Sequence, residues 1–241
     1  MQKQTYTTLL WLFIFGMAMG LLESAVVVYL RELYYPEGFA FPLKPMSPIL
    51  ILTEILREAA TLVMLIAIGV LAGRTRTERF GYFVFTFAVW DIFYYLFLKL
   101  LLNWPESLLT WDILFLLPTT WVGPVIAPVI LSLLMIALSL AISYFTDRSL
   151  QTRIIGHEWL ALVTGSLVVI VSFTLAYVQF MLSRFSWVEF LLPNAKVTEQ
   201  ALLFVPQHFH WGLFSAGVLI IAFGLAVFIF RTKKIQTAGV K

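Results

Sequence analysis

The sequence predicts an all-α integral membrane protein, a single domain (residues 1–241) built as a six-transmembrane-helix bundle. Three observations predict it. Of the 241 residues, 61% are hydrophobic and 12% charged, against about 45–50% apolar and about 25% charged in a soluble domain. The apolar runs are continuous and about 20 residues long, enough for a helix to cross the bilayer, and they lack the alternation of barrel strands. Lys and Arg are split ten to five across a six-span topology, with Arg57 inside the membrane. The richer side is the cytoplasmic one by the positive-inside rule, so both termini are expected to be cytoplasmic in a multi-pass protein of the cell membrane. The pI of 9.2 and net charge of +3 reflect this bias. They do not suggest nucleic acid binding; the bilayer, and membrane-protein subunits, are the expected partners. The chain has no cysteine, which removes disulfides and thiolate chemistry.

The first span is expected at about 8–30. Gly16, Gly20 and Ser24 recur every four residues as a stripe for close helix packing, with Glu23 beside it. Met1–Leu30 reads as a retained span and not a signal peptide, because no small-residue cleavage site follows. A loop rich in Pro, Gly and aromatic residues leads to Ser47 as N-cap and Pro48 at the first helical position of the second span, about 50–72. The third span, about 80–102, carries Asp91, Tyr94 and Tyr95 near its middle and Lys99 at its outer end. Residues 108–117 are too short to span and read as a re-entrant or interfacial helix ended by Pro118 and carrying Asp112. The fourth span is expected at about 124–144 and the fifth at about 158–182. Gly165, Ser172 and Gln179 repeat along one face of the fifth, and His157 with Glu158 marks its start. Residues 185–192 suit a helix lying in the interface. The sixth span, about 210–230, follows Pro206, His208 and His210.

The second span holds the most unusual pattern. Glu54, Arg57, Glu58 and Thr61 fall at i, i+3, i+4 and i+7 on one helical face. Ionisable groups at membrane depth are costly and face a bundle interior or a cavity. By depth, Glu23, Glu54, Glu58, Asp91 and Asp112 all collect in the outer half with His208, His210 and Arg57. This excess of acid requires protonation, water or a metal. Mixed His and carboxylate ligands would suit zinc, iron or manganese, and a vacant position would activate water. On this reading His208, His210, Glu23, Glu54 and Glu58 are metal ligands. Glu54, Glu58 and Asp91 are catalytic, and Arg57, Tyr94, Tyr95, Asp112, Lys99 and Gln179 bind substrate. The function this implies is an intramembrane metal-dependent enzyme acting on a lipid or small hydrophobic molecule. The alternatives are a solute-binding or transport subunit with an outward-facing pocket, and a non-catalytic subunit of a membrane complex held together by these charges. No haem is expected, because His157 lies on the opposite side from His208 and His210. The sequence contains no HExxH, GxSxG or phosphate-binding loop.

Overall fold

A computed structural model describes residues 2–191 and 195–238. Six helices are long and apolar enough to cross a membrane. They are α1 (Lys3–Tyr34), α2 (Pro48–Ala72), α3 (Arg76–Leu102), α4 (Ile126–Thr146), α5 (Gly156–Leu182) and α8 (Trp211–Ala238). Each expected span overlaps one of these helices, which extend a few residues further at several ends. Ser47 caps α2 by accepting the Leu50 N–H, and Pro48 occupies its first position. Lys241 of the charge bias and Leu192 of the expected interfacial piece lie outside the described residues.

The element between α3 and α4 differs from expectation. Residues 108–117 do not form a helix. Trp111–Phe115 is a strand, β1, paired antiparallel with β2 (Trp121–Pro124), Asp112 facing Gly123 and Ile113 facing Val122. A short apolar run has no period that separates strand from helix. Here the aromatic and β-branched residues of both arms, with Pro118 and two threonines between them, favour a hairpin. Its backbone polar groups pair across the ladder, so it can sit among helices. Near Trp187–Leu191 the structure has a single short helix turn, α6, followed by α7 (Ala195–Ala201).

α3 is the central helix, with α1, α2 and α4 packed on it, while α5 and α8 form the other pair. The predicted stripe on α1 meets α3: a Cβ on Gly16 would sit 3.0 Å from the Thr86 carbonyl oxygen, and on Gly20 3.0 Å from the Tyr94 nitrogen. Ser24 Oγ donates to the Tyr94 carbonyl at 3.0 Å. The α5–α8 seam is as close, since a Cβ on Gly165 would lie 2.6 Å from Ile221 Cγ1 and 2.8 Å from the Gly217 carbonyl oxygen. The Gly217 carbonyl, and the Ile221 nitrogen at 3.0 Å, cannot withdraw without moving a helix. Gly165→Val is expected to cost about 1–3 kcal/mol of overpacking, read as a lower melting temperature in detergent; an unchanged melting temperature would show the seam to be looser than described.

One end of the bundle is tied by ion pairs. Glu78, fully buried, accepts from Arg74 at 2.5 Å, and Arg74 also reaches Asp147 at 3.3 Å. Asp147 accepts from the Gln2 nitrogen at 2.7 Å and from Thr5. Glu158 receives Arg231 Nε at 2.6 Å and the Ile155 N–H at 2.9 Å, which makes it both a helix cap and a bridge to α8. These contacts draw the N-terminus, the α2–α3 turn and the ends of α4 and α8 to one basal end. The hairpin, α6 and α7 lie at the other.

Candidate functional site

At the hairpin end, α1, α2, α3 and the hairpin enclose a chamber of about 420 Å³. Loop residues 35–46 and α7 cover it. Most of its lining is apolar and aromatic, including Tyr34, Phe39, Trp90, Tyr94, Tyr95 and Phe115, and five carboxylates converge on it: Glu23, Glu54, Glu58, Asp91 and Asp112. Arg31, Arg57 and Thr61 line it too.

Each acid is held by an identifiable donor. Arg57 Nη1 donates to Glu23 across the gap between α2 and α1, while Nε and Nη2 donate to Glu54 Oε2 at 3.0 and 2.8 Å. The i, i+3 spacing puts Glu54 and Arg57 on one face and leaves the second half of the guanidinium free to reach α1. Glu58 accepts the Leu116 N–H at 2.9 Å, so the hairpin tip leans on α2. Asp91 accepts from Ser132 Oγ at 2.8 Å, joining α3 to α4. Asp112 faces Arg31 Nη2 at 3.5 Å. Arg31 is itself wedged among aromatic rings, 3.7 Å over Trp104 and 4.7 Å over Phe39, an arrangement that spreads its charge on π faces.

Eight of the predicted residues thus share one chamber: Glu23, Glu54, Arg57, Glu58, Asp91, Tyr94, Tyr95 and Asp112. The others do not. Lys99 Nζ donates to the carbonyls of Asn103 and Pro105 at 3.2 and 3.0 Å, where it closes the C-terminus of α3. Gln179, His208 and His210 line a separate open recess with Arg184 and Gln207. The histidines share the chamber's end of the bundle but stand by α5 and α8, across from α1 and α2. The expected joining of His208 and His210 with Glu23, Glu54 and Glu58 around one ion is therefore not formed. Among the described residues no three His, Cys, Asp or Glu side chains are grouped to hold a metal.

Two partners were not assigned from the sequence. Arg31 reads as a loop residue there, yet it belongs to α1 and is buried at 8% exposure. Its spacing from Glu23, two helical repeats of four, was the available signal. Ser132 carries no role in the sequence pattern, and only its position opposite Asp91 shows it.

Asp112 is the acid whose chemistry is most altered outside the helices. It is 2% exposed, and its Oδ2 has no hydrogen-bond partner. Burial pushes its carboxyl up to about 6, against the opposing pull of the Arg31 guanidinium, the Ile113 N–H and the Tyr95 hydroxyl. A carboxyl raised on folding holds its proton more tightly folded than unfolded, so its contribution to stability falls as pH rises from the ordinary carboxylate range to about 6. Above that it is constant. The melting-temperature difference between wild type and Asp112→Asn is expected to change with pH across this window and to be flat above it; a difference independent of pH throughout would contradict the assignment.

Comparison with known proteins returns no match: no family model, no curated protein and no solved structure is similar to the chain.

Proposed function

We propose that the protein is a solute-binding or transport module whose chamber takes a small amphiphilic cation, a molecule with an apolar or aromatic body and an amine or quaternary ammonium group. One observation carries this reading: five carboxylates face the chamber against two guanidinium groups, the buried Arg31 and the half-buried Arg57. Arg57 is shared by Glu23 and Glu54, and Arg31 serves Asp112. Glu58 and Asp91 receive only an amide N–H and a hydroxyl. Acids held this way attract a cation that can replace lost water, and the surrounding Tyr, Phe and Trp rings offer the faces that quaternary ammonium groups prefer. Convergence of the charges on a cavity favours binding over a purely structural role in a complex. The metal-dependent enzyme is the weaker reading, because the histidines stand apart from the acids.

The Lys and Arg bias at the basal end supports an orientation in the cell membrane with both termini cytoplasmic and the chamber toward the outer side. The test is extraction of the protein in mild detergent, followed by mass spectrometry of bound small molecules and metal analysis of the same sample. A stoichiometric amine without transition metal is expected. A stoichiometric transition metal that is lost in Glu58→Gln and Asp91→Asn would overturn the proposal.

A further inference from the structure

α2 is attached to the bundle differently along its two halves. Its basal half packs backbone to backbone on α3, where a Cβ on Gly69 would lie 2.8 Å from the Arg79 carbonyl oxygen and 2.9 Å from the Phe83 nitrogen. Leu65 is fully buried there with Met19 and Trp90. Its hairpin half carries no glycine that would allow such an approach. The small-residue stripe of α1 is spent on α3, and α1 and α2 pack on that helix and not extensively on each other. Two polar clasps hold the upper part of α2 instead: Arg57 to Glu23 of α1 on one side, and Glu58 to the Leu116 N–H of the hairpin on the other. Between α1 and α2 the chamber wall is otherwise made of side chains, among them Val27, Leu30 and Ile51. The outer face of this half, Ile49, Leu52 and Leu56, is apolar and exposed, as a lipid-facing surface is.

The end of the chamber away from the basal end is covered by loop residues 35–46 and α7. Phe39 packs against Phe41 and Trp104, with ring centroids 5.4 and 6.1 Å apart. The Tyr35 hydroxyl accepts the Lys44 N–H at 2.7 Å, and α7 lies over the remainder. A seam filled by side chains opens through rotamer changes, whereas unpacking a close helix seam disturbs many contacts at once.

From this contrast we infer that the ligand reaches the chamber sideways from the bilayer, between α1 and α2, and is therefore a cation that partitions into membranes, such as a long-chain amine or quaternary ammonium. The hairpin half of α2 is the gate, the Gly69 contact is its fixed point, and the Glu23–Arg57 and Glu58–Leu116 clasps are its latches. The inference rests on the cation-binding reading and adds to it the route and the ligand class.

The absence of native cysteine makes the test direct. Val27→Cys/Ile51→Cys is reconstituted in nanodiscs and joined by a reducible bifunctional thiosulfonate. Association of a dansyl-labelled undecyltrimethylammonium is followed by fluorescence, with single-cysteine variants as controls. Linking is expected to slow association about tenfold or more, the effect of ~1.4 kcal/mol added to a barrier, and reduction is expected to restore it. Recovery on reduction separates closure from damage to the fold. Glu23→Gln, which weakens one latch, is expected to speed association. If the linked and reduced forms bind at the same rate, the lateral route is wrong and the cation-binding reading stands. If the probe fails to bind even the reduced form, the cation-binding reading fails and the route falls with it.

Discussion

Arg31→Met is expected to lower the unfolding free energy by about 3–5 kcal/mol, the usual cost of stranding one member of a buried ion pair. Asp112 is 2% exposed, and among the described residues Arg31 is the cation that pairs with it. The guanidinium also fills the space against Trp104 and Phe39, which a methionine fills without its charge. Combining Arg31→Met with Asp112→Leu is expected to recover most of the loss, because a buried pair replaced by apolar groups of similar volume is often close to neutral. A double-mutant cycle on denaturation midpoints in bicelles measures this coupling. Strictly additive losses would show that the two side chains do not depend on one another. The deficit of the single variant should shrink at low pH, where protonation removes the stranded charge.

Glu58→Gln and Asp91→Asn carry the second large effect. Each is expected to weaken binding of a quaternary ammonium by roughly tenfold or more, since a hydrogen bond or contact to a charged group contributes about 1.5–3 kcal/mol. Neither change should destabilise the fold. Both remove a carboxylate from a largely apolar chamber while keeping the shape, and the Leu116 N–H and Ser132 Oγ can bond the amide oxygen instead. Glu54→Gln should have the smaller effect on binding, because Glu54 is already neutralised by Arg57. Weaker binding with unchanged melting temperature marks a ligand-facing acid. A fall in melting temperature with unchanged affinity would instead assign Glu58 and Asp91 to holding helices together.

Much of this was legible in the chain. Span number and position follow from run length, and the α1 stripe follows from the fourfold recurrence of Gly16, Gly20 and Ser24, which meets α3 in the structure. The polar face of α2 follows from helical periodicity alone, and Glu54, Glu58 and Thr61 are indeed its buried residues. Two features were not legible. The hairpin is hidden because a five-residue apolar strand has the composition of a buried helix turn. The separation of His208 and His210 from the acids is hidden because topology fixes depth along the membrane normal but not position within its plane. Equal depth placed them together, and the pairing of α5 with α8 keeps them apart.

The most direct measurement of the account is calorimetric titration of the protein in nanodiscs with benzyltrimethylammonium and, separately, with benzenesulfonate. These probes share an aromatic body and differ in the sign of their charge. Saturable one-to-one binding of the cation, lost in Glu58→Gln/Asp91→Asn, with no binding of the anion, is the predicted result. Binding of the anion in preference to the cation, or cation binding indifferent to the double substitution, would contradict it.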